Sequence, residues 1–212
     1  MRYKCIGDFP IDVYDEDGRF TQEQILIKEG SLWETEETDY RFIGGKDTIR
    51  LVSDIEGNSY RWIEITEENL SRHFTPTVEG REIPVGGVFK HFKHTITGIP
   101  LNYMYVVMGI SKPVTFEVFT NIGILPSTNS SNFVQTLYTE EHKKITTIRL
   151  EGGVYIHSVE NCDSDLVVYK SLYDDSLPYS RPLDMFAGFV DHEKYPEITQ
   201  GYRFELVGRI LG

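Results

Sequence analysis

Turn-forming residues recur along this chain at intervals of about eight to twelve residues, which leaves room between them for short strands and little else. Asp15-Glu16-Asp17-Gly18, Glu29-Gly30 and Glu56-Gly57-Asn58 set acidic or amide side chains beside glycine, and Gly44-Gly45 adds a further break. Asp and Asn bond their own backbone, and glycine accepts positive φ, so each group predicts a turn by mechanism. The segments between them are Tyr3 to Ile6, Ile25 to Ile27, Leu32-Trp33, Ile49 to Leu51 and Trp62 to Ile65. They are short and rich in β-branched and aromatic residues, as strands are. One helix interrupts the series. Thr66 can cap Glu67 to Phe74, with two acids in the first turn and Arg72-His73 in the last, where the dipole favours each sign; Pro76 is the expected stop. Residues 1–78 therefore form a first unit, and the charged, proline-flanked stretch 79–84 reads as a linker.

The same grammar continues over 85–212. Tyr103 to Ile110 is too uniformly apolar for a strand with one wet face, which predicts a central strand. Val114 to Phe119, Phe133 to Tyr138, Ile145 to Leu150 and Val154 to His157 are further strand candidates, and Tyr202 to Val207 closes the chain. Leu125 to Asn132 is a polar surface loop, and Ile96 to Pro100 a turn region. Asp165 to Phe186 is the densest stretch: strand Leu166 to Tyr169, then Leu172-Tyr173, an acidic turn, Arg181-Pro182, and the apolar Leu183, Met185 and Phe186. Phe116, Val118, Phe119, Phe133, Val134, Leu137 and Tyr138 are more apolar surface than an isolated hairpin buries, which suggests an interface between copies or a lid.

Composition narrows the function classes. The chain has 212 residues and a formal net charge of −12, which argues against general nucleic-acid binding, where clustered Lys and Arg neutralise phosphates. The excess is uneven: residues 1–80 hold 9 basic and 18 acidic residues, and residues 81–212 hold 12 and 15. The second part is close enough to neutral to contain a basic pocket. Cys5 and Cys162 stand far apart and in no metal-ligand spacing, so free thiols in a reducing compartment are expected. With no membrane-length apolar run and no signal-like N-terminus, the expected location is the cytoplasm.

Residues that could carry chemistry gather in the second part. His91, Lys93, His157, Tyr169, Tyr173 and Arg181 would line a cleft in which Arg clamps a phosphate or carboxylate, Lys adds a point charge, and Tyr and His stack on a base. The competing reading makes the tyrosines core residues and Arg181 an ion-pair partner of Asp174, Asp175 or Asp184. His91 and His94 are three apart, hence on opposite faces of a strand, and are not expected to chelate a metal. Ser158 and Cys162 lack any nucleophile signature. His91 and His157 could together supply acid–base hydrolysis of a nucleotide. No phosphate-loop or dinucleotide fingerprint is present, so no cofactor is expected.

Two resemblances extend this reading. Tyr3-Lys4-Cys5, Lys28-x-Gly30-Ser31-Leu32-Trp33 and Trp62 to Ile65 resemble small SH3-like modules of phage and Firmicute proteins. Phe89 to Lys93, Tyr105 to Gly109, His157-Ser158, Leu166 to Tyr169, Leu172-Tyr173, Arg181-Pro182 and Met185-Phe186 resemble, in order, a bacterial and phage domain-of-unknown-function family, number sixteen-fifty-three. The second resemblance implies an SH3-like barrel from 85–110 plus 153–208, with 111–152 as an insertion. It also adds Tyr105 and Ser158 to the candidate ligand-binding residues. The expected fold is thus mainly β: two small SH3-like barrels or sandwiches, one short helix at 66–74, and a β insertion in the second unit. The expected function is a phage-encoded homo-oligomer that sequesters an anionic small molecule, such as a nucleotide immune signal. A nucleotide-cleaving enzyme and an acidic protein–protein inhibitor are the alternatives.

Overall fold

The structure is a computed structural model that describes residues 1–36, 38, 40–45, 48–53, 62–78, 80–94, 101–125, 128–150 and 154–210. The turns expected at Glu56 to Asn58, Ile96 to Pro100 and Gly152-Gly153 lie outside these residues. The chain divides into two units, Met1–Glu82 and Ile83–Gly212.

Unit 1 is built on strands β1 (Arg2–Cys5), β2 (Phe9–Tyr14), β3 (Phe20–Ile27), β4 (Leu32–Thr35), β5 (Thr48–Val52), β6 (Trp62–Thr66), β7 (Phe74–Val78) and β8 (Arg81–Glu82). Six of them form an open sheet in the order β6-β5-β4-β1-β7-β8, and β2 and β3 make a separate hairpin. Helix α1 (Glu67–His73) joins β6 to β7. Its cap is the expected one, with the Thr66 hydroxyl accepting from the Asn69 N–H at 3.2 Å. It ends before Pro76, which sits inside β7 opposite Tyr3. Tyr3, Cys5, Phe9, Ile27, Trp33, Leu51, Ile63, Leu70 and Phe74 form the core. This open sheet with a detached hairpin gives no support to an SH3-like module.

The tightest polar knot of unit 1 ties the segment before β5 to the sheet. The Glu64 carboxylate, 3% exposed, accepts from the backbone N–H groups of Phe42, Ile43 and Gly44 at 2.7, 2.8 and 2.9 Å. It also receives Arg50 Nη2 at 2.6 Å. The Arg50 guanidinium in turn lies over the rings of Trp62 and Tyr40, at 4.4 and 5.1 Å. Burial alone would raise the Glu64 pKa, but three N–H donors and Arg50 outweigh it and hold the carboxyl at about 2.

Unit 2 contains β9 (Gly87–His91), β10 (Met104–Val114), β11 (Phe133–Tyr138), β12 (Lys143–Arg149), β13 (Tyr155–Ser158), β14 (Leu166–Ser171), β15 (Tyr179–Pro182) and β16 (Phe204–Arg209), with helices α2 (Phe116–Gly123) and α3 (Leu183–Ala187). Its sheet runs β13-β12-β11-β15-β14-β10-β9-β16, and a further pairing of β13 with β10 closes six of the strands into a barrel. Two antiparallel groups, β10-β14-β15 and β11-β12-β13, are joined by two parallel pairings, β15 with β11 and β13 with β10. Leu166 of β14 packs on Tyr138 of β11 and Ile145 of β12, strands that do not flank it in the ring, so these side chains fill the lumen. The segment 111–152, expected as an insertion on a complete barrel, instead supplies β11, β12 and the end of β10. The two-barrel SH3-like expectation is therefore replaced by one closed barrel with two added strands and, in unit 1, an open sheet with a hairpin.

Val114 to Phe119 also departs from expectation. The strand ends at Val114, the Thr115 hydroxyl accepts from the Val118 N–H at 3.3 Å, and α2 follows. The aromatic and β-branched content of Phe116 to Thr120 suggested a strand, but the Thr cap and the acid in the first turn decide for helix.

β10 is the member on which the closure depends. Its first residues, Met104 to Val106, pair with β9, and its last, Ser111 to Val114, pair with β13 along the same edge. Its register against β14 shifts between Val107 and Gly109, the signature of a β-bulge. Val107 is opposite Tyr169, whereas Gly109 is opposite Val168 and Ser111 opposite Leu166. Because side chains alternate with period two, the shift moves β10's inward residues to the other face of the sheet.

Trp33 and Trp62 are the chain's two tryptophans, and both lie in unit 1, so their fluorescence reports that unit alone. Glu64's folded pKa lies below its unfolded value, so its contribution is full above about pH 5 and lost as pH falls towards about 2. Acid should remove on the order of 3 kcal/mol of unit 1 stability across that window. Denaturant melts followed by tryptophan emission should show Glu64→Gln less stable at neutral pH and largely without this acid dependence. A variant with the parent's pH profile would exclude the carboxylate as its origin.

Candidate functional site

One face of the unit 2 sheet gathers several sequence-predicted residues through strand register. Phe89 pairs with Tyr105, His91 with Phe204, Val107 with Tyr169, Tyr169 with Tyr179, and Val167 with Arg181. Residues opposite one another, and residues two apart, share a face, so His91, Tyr105, Tyr169 and Arg181 project from the same side. Between them lies an aromatic floor. Phe204 stacks on Phe186 of α3 with centroids 4.1 Å apart, and Tyr169 stacks on Tyr179 at 5.6 Å. His91 meets Phe204 edge-on at 4.7 Å, and the Arg181 guanidinium lies 5.7 Å from the same ring.

Above this floor is a cavity of about 430 Å³ lined by His91, Phe92, Lys93, His142, Arg181, Asp191, Lys194, Tyr195 and Arg203. Four cations therefore face one carboxylate in a chain of net charge −12. The backbone positions that carboxylate: Asp191 Oδ1 accepts from the N–H groups of Glu193 and Lys194, each at 3.1 Å. Arg181 is positioned through its Nε, which donates to Thr139 Oγ1 at 3.0 Å and lies 3.4 Å from Glu140 Oε1. Glu140 thus takes the ion-pair role expected of Asp174, Asp175 or Asp184. Among the described residues, Arg181's two terminal nitrogens carry no hydrogen bond, and Lys93, Lys194 and Arg203 form no ion pair.

His91 is electrically neutral in this setting. Burial first, and then the positive charges of Arg181, Lys93 and Arg203, push its pKa down to about 3. Its Nδ1 accepts from the Lys93 N–H at 3.2 Å, so the ring's own proton sits on Nε2.

The remaining candidates go elsewhere. Tyr105 and Tyr169 are buried in the floor, with burial raising both phenol pKa values, and the Tyr105 hydroxyl meets that of half-buried Tyr173 at 3.1 Å. They support the cavity and do not line it. His157 and Ser158 are buried and absent from its lining. His157 Nδ1 lies 2.8 Å from Ser111 Oγ, and Nε2 donates to the Cys162 carbonyl at 3.1 Å. Burial lowers the His157 pKa, so it is a satisfied neutral core histidine. His91 and His157 accordingly do not form a catalytic pair, and the Ser111–His157 contact is sealed from solvent. His94 bonds the Asn102 carbonyl at 2.6 Å, and among the described residues no group of three or more His, Cys, Asp or Glu could hold a metal ion.

Sequence reasoning missed Lys194, Arg203, Tyr195 and His142. Lys194 and Tyr195 lie in an irregular segment whose backbone is closed by a bridge between Phe189 and Tyr202 and by Gln200 Nε2 donating to the Lys90 carbonyl at 3.2 Å, and Arg203 follows it, its carbonyl accepting from the Phe92 N–H at 3.0 Å. The available signal was compositional: two cations interleaved with aromatic residues near the end of an otherwise acidic chain.

A larger cavity, about 740 Å³, lies in unit 1 beside Asp12, Tyr14, Trp62 and Glu64. Its size does not make it the better candidate. Glu64 is committed to the knot described above, and Asp12 Oδ1 accepts from Gln24 Nε2 at 2.9 Å.

Residues 153–206 match the family described as "Protein of unknown function (DUF1653)". The match spans β13 to the start of β16 and therefore includes Arg181, Lys194 and Arg203; it does not extend to the expected portion at 85–110. Comparison with curated proteins and with solved structures finds no match. No helix among the described residues is long and apolar enough to cross a membrane.

The His91 ring should remain neutral while an unperturbed histidine titrates near ~6.5. Proton–carbon NMR spectra from about pH 8 to about pH 4 should show no His91 titration. Arg181→Ala should move its onset upward, since that charge is the second cause of the depression. An ordinary histidine titration in the parent protein would refute the buried cationic surroundings.

Proposed function

We propose that this protein binds and holds a small anionic ligand of the nucleotide class in the cationic cavity of unit 2, without turning it over. The observation that carries the proposal is the convergence of Lys93, Arg181, Lys194 and Arg203 on one cavity in a strongly acidic chain. Concentrating positive charge against the chain's overall sign raises the local concentration of a small anion and gives it charge-assisted hydrogen bonds. Tyr195, packed at 4.9 Å against Phe92, is the lining ring on which a base would stack.

The state of His91 in the free protein speaks against turnover through that residue. A general acid or base works best with a pKa near the operating pH, and an imidazole held at about 3 is a poor base and is not an imidazolium at neutral pH. The finer form of the proposal is a phage-encoded cytoplasmic protein that sequesters a nucleotide immune signal. It includes self-association through Phe116, Val118 and Phe133, which stay exposed; a solution mass equal to a single chain would remove that part.

Arg181→Ala tests the site directly. It should weaken nucleotide binding about tenfold or more, measured by calorimetry, while circular dichroism stays that of the parent. Ligand released by heat should be chemically intact. Recovery of a cleaved product would replace binding by catalysis, and undiminished affinity in the variant would move the site elsewhere.

A further inference from the structure

The charge count of the unit 2 cavity says more about the ligand than its sign. Glu140 beside Arg181 and Asp191 in the lining together offset two of the four positive charges. Lys93, Lys194 and Arg203 remain without an ion-pair partner among the described residues, within about 430 Å³. A doubly charged anion matches the excess of positive charge left after Asp191 and Glu140, whereas a single negative charge leaves part of it uncompensated.

We propose, resting on the anion-binding reading above, that the cavity recognises a diphosphate group, with guanidinium forks on the phosphoryl oxygens and lysines as point charges. Two guanidinium groups suit this directly, since each can present two parallel N–H donors to a phosphoryl group. The two arginines reach the cavity from different elements, Arg181 on β15 and Arg203 immediately before β16, so that each can hold one of two linked phosphoryl groups. Arg181 has its plane set by Thr139, so its fork is oriented before the ligand arrives. His91 adds an Nε2–H donor without adding charge. The volume exceeds what a diphosphate fills and falls in the range of small-molecule pockets, leaving space for an attached group beside Tyr195.

Calorimetric titration at fixed ionic strength with inorganic pyrophosphate, inorganic phosphate, adenosine diphosphate and adenosine tests this. Pyrophosphate and adenosine diphosphate should each bind at least about tenfold more tightly than phosphate, and adenosine should not bind detectably. Lys194→Ala, at an exposed position, should weaken pyrophosphate binding several-fold without altering the melting temperature of the free protein. Phosphate binding as tightly as pyrophosphate would overturn the diphosphate assignment and leave anion binding standing. Absence of binding by all three anions would overturn both. Pyrophosphate affinity unchanged in both Lys194→Ala and Arg181→Ala would place the anion outside this cavity and overturn the assignment of the site.

Discussion

The one-residue slip in β10 between Val107 and Gly109 is the constraint on which unit 2 depends. Upstream of it, Tyr105 and Val107 share a face with Tyr169 and Arg181 and help build the floor of the cavity. Downstream, Ser111 shares the opposite face with Leu166, and Leu166 lies in the barrel lumen. A bulge also bends and twists its strand. That change of direction lets β10 leave β9 and take β13 along the same edge. Closure in turn removes the free edge that β13 would otherwise present, which is how barrels avoid unwanted strand pairing. The polar site and the sealed lumen are therefore two outcomes of one irregularity.

The same slip explains which parts of the site were legible in the sequence. Strand existence was readable: Phe133–Tyr138 is found as expected, and Leu166 to Tyr169 lies within β14. The relation between His91 and Arg181 was also within reach, because both sit on strands whose alternation is regular. His157 was misassigned for a physical reason. It lies on β13, which joins β10 only beyond the bulge, and there its ring finds Ser111 and the Cys162 carbonyl and not the cleft. Periodicity cannot reveal a bulge, since the extra residue satisfies the local apolar pattern on either side of it. Lys194 and Arg203 were hidden by the opposite circumstance. The segment before β16 has no period, and backbone anchoring to Lys90, Phe92 and Gly188 brings it to the cavity.

Residues 111–152 show how a resemblance can mislead about topology even though residues 153–206 match the family. Motif order treated them as an addition to a finished barrel. In the structure they contribute β11 and β12, and Tyr138 and Ile145 help fill the lumen. Thr136 Oγ1 also donates to Ser180 Oγ at 2.9 Å where both are buried. The turn after β11 further supplies Thr139 and Glu140, which hold Arg181. A segment that positions the principal cation belongs to the site and not to an appendage of it.

The acidity of the chain and the basicity of its cavity act together. Charges further apart than the Debye length, about 8 Å at physiological ionic strength, are largely screened from one another. A small anion inside the cavity therefore responds to Lys93, Arg181, Lys194 and Arg203, and only weakly to the excess carboxylates elsewhere. A long polyanion would gain less from such a site, because only the few phosphates that reach the cavity would meet its cations. Specificity is a difference of affinities, and repulsion of the wrong ligand contributes to it as much as attraction of the right one. Under the anion-binding proposal, the distribution of charge, and not the net value of −12, would favour a compact anion over a nucleic-acid strand.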